Sequence, residues 1–183
     1  MKDKGKLLML LMIGSETFFF IALIIGYVYY RNFTEATDTV AQHLDAVRAG
    51  IFTLFLIASS GTLMISKRAL NKENFKGFNI FLLLSIVLGI VFITGQVTEY
   101  IGLYQEQITL SKDVFGSSFF TLTGFHGFHV ILGVLALLIL LIMSLGKLRR
   151  VSIAGFGGVE VYWHFVDVVW LFVFYFVYIT PLL

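Results

Sequence analysis

Residues 118–145 read SFFTLTGFHGFHVILGVLALLILLIMSL, a run without a single Asp, Glu, Lys or Arg. About 20 apolar residues suffice for a helix to cross roughly 30 Å of hydrocarbon, since each helical residue adds about 1.5 Å. The stretch therefore predicts a transmembrane helix. Four further stretches satisfy the same criterion, so that the predicted spans are approximately 7–30, 49–66, 78–101, 118–145 and 159–181.

The composition of the whole chain agrees with five spans. Of its 183 residues, 58% are hydrophobic and 13% are charged, whereas about 25% are charged in typical globular proteins. A soluble protein of this length could not bury so much apolar surface and still present a polar exterior, and an intrinsically disordered chain is excluded for the same reason. Cysteine is absent, which excludes disulfides, thiolate metal sites and cysteine-linked haem.

The apolar runs are continuous and do not alternate as the strands of a membrane barrel do. We find no repeat and no soluble region, so the sequence predicts an all-α, polytopic membrane protein with one domain, residues 1–183, built as a bundle of five transmembrane helices. The first run follows three lysines and resembles a signal peptide. It carries Glu16 in its middle and lacks a small-residue cleavage site, which favours a retained helix.

Basic residues are distributed unevenly between the segments that connect the spans. Alternate segments hold ten of the thirteen Lys and Arg residues, and the positive-inside rule places those segments in the cytoplasm. The predicted topology has a cytoplasmic N-terminus and an external C-terminus. The ten residues are Lys2, Lys4, Lys6, Lys67, Arg68, Lys72, Lys76, Lys147, Arg149 and Arg150.

Glu16 is the first ionisable residue inside an apolar run, about ten residues from the inner boundary. Such residues are costly in lipid and are functional candidates by default. Two interpretations remain open: a neutral acid that donates one hydrogen bond to another helix, and an acid that relays protons.

Polar side chains also occur in spans three to five. Gln96, Glu99 and Tyr100 lie near the predicted outer end of span three, where they either anchor the chain in the interface or bind lipid. Two stripes follow, and each lies on one face of its helix because its members are three or four residues apart. Such stripes commonly seal one helix against another. The stripes comprise His126 and His129 in span four, and Glu160, His164 and Asp167 in span five.

Metal binding is the alternative for these stripes, because imidazole and carboxylate groups suit iron, copper or zinc. A di-iron carboxylate site would require repeated Glu-x-x-His pairs, and no glutamate here is followed by histidine at that spacing. A haem held by two histidines is not excluded by their depth. We nevertheless expect no metal and no cofactor in this chain. The two tryptophans, Trp163 and Trp170, are expected at the outer interface or against lipid, where aromatic rings form belts.

Several motifs in order along the chain resemble subunit III of the haem-copper cytochrome c oxidases. They are QVTEY at 96–100, VFGSSFF at 114–120, TGFHGFHV at 123–130 and YWHFVDVVWLF at 162–172. The pair Ser15-Glu16, followed by a phenylalanine run, is similar to that family's buried, carbodiimide-reactive acid. The resemblance covers nearly the whole chain, in the short five-helix form of the family. The stretch 58–62 lacks the histidine pair of some relatives, and we assign it no role.

The resemblance implies an accessory core subunit of a respiratory oxidase that reduces oxygen to water and pumps protons. Such a subunit carries no redox centre, since haem and copper belong to partner subunits, and it stabilises the catalytic subunit I, holds structural phospholipids and supports proton uptake. Subunit II and other oxidase subunits are further expected partners, and no nucleic acid is expected. The implied location is a bacterial cytoplasmic membrane.

Two alternatives remain at this point. The electron donor is a cytochrome c or a quinol, and the resemblance favours cytochrome c. A protein of another class, a free-standing proton or solute transporter with Glu16 as its carrier group, is disfavoured because secondary transporters usually show duplicated halves and broken helices.

Overall fold

The computed structural model describes residues 2–33, 44–110, 114–146 and 153–182, and within these ranges it is helical, with no strand. The helices are α1 (Lys2–Phe33), α2 (Ala46–Asn71), α3 (Phe75–Gln105), α4 (Val114–Leu145) and α5 (Ile153–Phe174). A π-helical turn, Tyr175–Ile179, and a 3₁₀ turn, Thr180–Leu182, continue α5. All five helices are long and apolar enough to cross a membrane. The prediction of an all-α protein with five spans is confirmed.

Polar side chains fix where two of the helices begin. Asp45 accepts a hydrogen bond from the backbone N–H of Arg48 at 2.9 Å, at the start of α2. Asn74 does the same for Gly77 at 3.0 Å, at the start of α3. Each side chain satisfies one of the N–H groups that the first turn of a helix leaves without a partner.

The helices form a closed arrangement in which α2 packs against α3, α3 against α4, and α4 against α5, while α5 also contacts α2. Helix α1 packs on α4 and α5. Among its described side chains only Phe20 and Tyr27 are buried, so α1 touches the bundle along a narrow line.

Hydrogen bonds of hydroxyl groups join α2 to α3 within their membrane-spanning stretches. Thr62 and Ser85 share a hydrogen bond of 2.7 Å between their hydroxyl oxygens, and Ser66 donates to the carbonyl oxygen of Phe78 at 3.0 Å. Because a buried polar group without a partner is costly in an apolar medium, these contacts fix which faces of α2 and α3 meet.

Candidate functional sites within the bundle

Glu16 of α1 meets His129 of α4. The distance between Glu16 Oε2 and His129 Nε2 is 3.2 Å, and the other ring nitrogen, Nδ1, lies 2.7 Å from the carbonyl oxygen of Phe125. A carbonyl oxygen can only accept, so Nδ1 carries a hydrogen and Nε2 of a neutral ring is a bare acceptor. The contact therefore consists of a protonated acid donating to Nε2, or of a carboxylate paired with an imidazolium, and the two differ by the position of one proton.

His126, one turn before His129, lies in a different environment. Its ring is completely buried and stacks on the indole of Trp170, with ring centres 4.9 Å apart. Neither ring nitrogen has a hydrogen-bond partner among the described residues. The structure thus does not join the two histidines of this stripe into one pair of ligands.

Glu160, His164 and Asp167 all face α2. Lys67 Nζ of α2 lies 2.5 Å from Glu160 Oε2, and the exposed fractions of the two side chains are 41% and 6%. One to two turns deeper, the Ser60 hydroxyl lies 2.8 Å from His164 Nδ1 and donates a hydrogen bond to Asp167 Oδ2. The structure therefore brings this second stripe together with a lysine and a serine of α2.

The two tryptophans lie inside the bundle, which corrects the expectation that they face lipid or the outer interface. Trp163 is fully buried and Trp170 is 3% exposed. Their indole N–H groups donate to the hydroxyl oxygens of Ser59, at 3.0 Å, and Thr53, at 2.9 Å. A buried indole requires an acceptor, and α2 supplies one for each ring.

Gln96, Glu99 and Tyr100, which were expected to anchor the chain in the outer interface or to bind lipid, make hydrogen bonds between helical segments. Gln96 is 8% exposed, and its amide donates to the carbonyl oxygen of Thr123 at 2.6 Å. Tyr100 shares a hydrogen bond of 2.7 Å with the Thr123 hydroxyl, so both side chains join α3 to α4. Glu99 accepts a hydrogen bond of 2.6 Å from the hydroxyl of Tyr178.

Sequence reasoning did not single out the α2 partners of these groups. Thr53, Ser60 and Lys67 are seven residues apart and form a line of polar contacts with α5. A seven-residue spacing keeps side chains on one helix face, so this spacing was the available signal. The pattern was hard to recognise because Thr53 and Ser60 carry no charge and hydroxyl side chains are common in apolar helices.

The described part of the chain contains no group of three or more His, Cys, Asp or Glu side chains placed to hold a metal ion. His129 with Glu16, and His164 with Asp167 through Ser60, each bring together one imidazole and one carboxyl group. Both arrangements suit the sharing of a proton better than the binding of a metal, which in proteins usually requires three or four ligands.

Comparison with known proteins identifies relatives along the full chain. The family model described as cytochrome c oxidase subunit III matches residues 2–181. A protein of Synechocystis named cytochrome c oxidase subunit 3 is 33% identical over 172 residues, covering 92% of this chain and 72% of the relative. The protein of that name from Thermostichus vulcanus is 32% identical, with 93% and 85% covered.

A third relative, from Corynebacterium diphtheriae, bears the same name and is 34% identical over 139 residues, which cover 75% of this chain and 68% of the relative. The region that the family model matches, residues 2–181, includes both polar stripes and all five spans. The resemblance that the motifs indicated is therefore confirmed, and this chain belongs to the cytochrome c oxidase subunit III family.

Proposed function

We propose that this chain is an accessory core subunit of a cytochrome c oxidase that reduces oxygen to water and pumps protons, and that the chain itself holds no redox centre. The observation that carries the proposal is the family match across residues 2–181. As a subunit III, the chain belongs to an oxidoreductase complex with other oxidase subunits. Haem and copper are assigned to those partners, with subunit I as the main contact and subunit II as a further one.

The surface of the bundle supports a role in assembly. Large apolar side chains on the outward faces of the helices are exposed, including Phe18 at 75% and Leu54 at 66%. Lipid or another transmembrane subunit must cover them. An apolar groove of about 470 Å³ runs between α1 and α5, lined by Ile24, Phe165 and Phe172 among others. Its lining suits a phospholipid acyl chain, which supports the proposed lipid-binding role.

The contact between Glu16 and His129 supports a role in proton uptake. The contact holds one proton between a carboxyl group and an imidazole ring, about half-way through α1. The acid is 31% exposed and the histidine 12% exposed in this chain, so the pair lies close enough to the surface of the chain to exchange a proton with a neighbouring subunit.

Cytochrome c is the proposed electron donor rather than a quinol, because the relatives described above are all named cytochrome c oxidase subunit 3. The proposed location is the cytoplasmic membrane of a bacterium. The bacterial relatives described above, from Synechocystis and Corynebacterium diphtheriae, support it.

The proposal is tested by purification of the tagged chain from its membrane in a mild detergent. We expect haem and copper to copurify in fixed proportion, and cytochrome c oxidation to accompany them. After dissociation of the complex, the separated chain should contain neither metal. Stoichiometric haem, iron or copper in the separated chain would contradict an accessory role. Migration of the chain alone, without any haem protein, would favour a transporter.

A further inference from the structure

Asp167 is a buried acid that the proposed function does not use. It is 7% exposed, and its Oδ1 atom is buried without a hydrogen-bond partner among the described residues. Its position, fourteen residues after the first residue of α5, is about 21 Å along the helix. An ionised carboxylate with an unpartnered oxygen is very costly at such a depth, so the resting group is a neutral acid that holds a proton.

A row of polar side chains leads from Asp167 towards the end of the bundle at which Lys67 lies. Ser60 touches both Asp167 and His164. Glu160 lies one turn from His164 on the same face of α5 and is paired with Lys67. The Lys67 side chain is 41% exposed, so the row begins at an accessible cation and ends at a buried acid.

The remaining titratable groups of the helices packed against α5 lie on other contacts. On α4, His126 stacks on Trp170 and His129 faces Glu16 of α1. Near the far end of the bundle, Glu99 of α3 binds Tyr178. None of the hydrogen bonds of the described residues links these groups to Asp167.

We propose that Asp167, Ser60 and His164 form a proton-exchange site inside the membrane, open to the face on which Lys67 lies. The ligand is a proton, and the site is separate from the contact between Glu16 and His129. The site is a property of this chain and does not depend on the proposed role in an oxidase.

The Ser60 hydroxyl has one hydrogen, which points either to His164 or, as in the contact described above, to Asp167, so the three groups can order their hydrogen bonds in two ways. In the first, the Asp167 acid donates to Ser60 Oγ and Ser60 donates to His164 Nδ1. In the second, His164 Nδ1–H donates to Ser60, which donates to Asp167 Oδ2. Passage from the first arrangement to the second moves two protons. The acid proton of Asp167 moves to Ser60 Oγ, and the original hydroxyl proton of Ser60 moves to His164 Nδ1. One O–H bond breaks on Asp167 and one on Ser60, while a new O–H bond forms on Ser60 and an N–H bond forms on His164. The products are a carboxylate and an imidazolium, and no other reactant is required.

Glu160, one helical turn from His164 on the same face of α5, is the next polar side chain towards the accessible end of the row. The proton then leaves from Nε2 or Nδ1 of His164 towards the accessible end of the row. Without the serine hydroxyl, Asp167 has no described group through which to pass its proton to His164.

The test is infrared spectroscopy during exchange into deuterated water. The sample is the membrane complex that is purified through the tagged chain and placed in lipid vesicles. The wild type should show a protonated carboxyl C=O band that shifts on deuteration. Asp167→Asn should remove this band, and Glu16→Gln should leave it in place. Ser60→Ala should keep the band and slow its deuteration about tenfold, equivalent to about 1.4 kcal/mol of added barrier.

Two variants separate the relay from a change in packing. Ser60→Thr retains a hydroxyl and should exchange at close to the wild-type rate. Ser85→Ala removes a buried hydroxyl from the contact between α2 and α3 and should leave the rate unchanged. The proposal is overturned by a carboxyl band that survives Asp167→Asn, or by equal exchange rates in Ser60→Ala and the wild type. If Asp167→Asn does not assemble, the deuteration rates of Ser60→Ala and Ser60→Thr decide whether the hydroxyl group relays the proton.

Discussion

The backbones of α3 and α4 approach the fully buried indole ring of Trp163 closely. A Cβ atom added to Gly133 of α4 would lie 2.7 Å from Cε3 of the indole, and one added to Gly89 of α3 would lie 2.8 Å from Cη2. Both distances are shorter than van der Waals contact. Two glycines are therefore required here by the space that the ring occupies, and not by an unusual backbone conformation.

The substitution Gly133→Ala should destabilise the bundle, because the fully buried indole cannot move away without losing its bond to Ser59. Overpacking of this kind typically costs about 1–3 kcal/mol. The measurement is the temperature at which the chain in the purified complex unfolds. Gly61→Ala is the matched control, since a Cβ there meets nothing within 4 Å, and it should be neutral or slightly stabilising. Equal melting temperatures for the two variants would contradict this packing argument.

Glu16 supplies a second prediction about a single residue. The variant Glu16→Gln should leave assembly nearly intact, because the amide N–H can donate to His129 Nε2 in place of a protonated acid. The amount of this chain per haem in the purified complex measures assembly. Glu16→Leu, which removes every donor, serves as the comparison and should lower that ratio. Failure of Glu16→Gln to assemble would show that the native pair is ionic.

At the scale of elements, the contact between α2 and α5 is the most polar seam in the described part of the bundle. Its contacts follow the antiparallel course of the two helices: Lys67 meets Glu160, Ser60 meets His164 and Asp167, and Ser59 meets Trp163. Single contacts of this kind are worth about 0.6 kcal/mol on average in membrane proteins. Their number and regular spacing, rather than any one bond, select the register of the two helices.

The substitution His164→Ala should weaken this seam, because Ser60 then loses one of its two partners and a gap opens beside Glu160. We expect a lower amount of the chain in the purified complex and a lower melting temperature. Val168→Ala, one turn further along α5, removes an exposed apolar side chain and is the control. Full retention of His164→Ala with an unchanged melting temperature would count against a structural contribution of the seam.

The sequence predicted the helices themselves better than their orientation about their own axes. Length and hydropathy are enough to recognise a span, because the thickness of the bilayer sets both. The inward face is harder to recognise, since lipid is as apolar as a protein core and hydrophobicity need not vary around the helix. Trp163 is fully buried whereas Phe172 on the same helix is 55% exposed, although both are large aromatic residues.

The candidate sites were predictable only in part for a related reason. Charged and imidazole side chains in an apolar run stand out, so Glu16, His129 and His164 were recognisable as single residues, although their pairing was not. Their partners depend on how distant helices meet. Ser60 and Thr53 resemble any hydroxyl residue of a membrane helix until α5 is placed beside them.

At the scale of the whole molecule, the distribution of basic residues predicts the direction of insertion. Four basic residues lie in or next to the short connection between α2 and α3, and the rule that basic loops stay in the cytoplasm predicts that this connection lies on the inner side. They are Lys67, Arg68, Lys72 and Lys76. With this orientation, Lys67 marks the inner end of the polar row on α2 and α5, and we expect protons to reach Asp167 from the cytoplasm.

The predicted direction can be tested directly, because the natural chain contains no cysteine. Asn71→Cys, at the exposed end of α2, and Gln105→Cys, at the exposed end of α3, introduce one thiol each at opposite faces of the bundle. A maleimide that cannot cross membranes should label Gln105→Cys in intact spheroplasts, and Asn71→Cys only in inside-out vesicles. The unsubstituted chain should remain unlabelled in both preparations. The reverse pattern would show that the N-terminus is external and that the row from Lys67 to Asp167 opens to the outside.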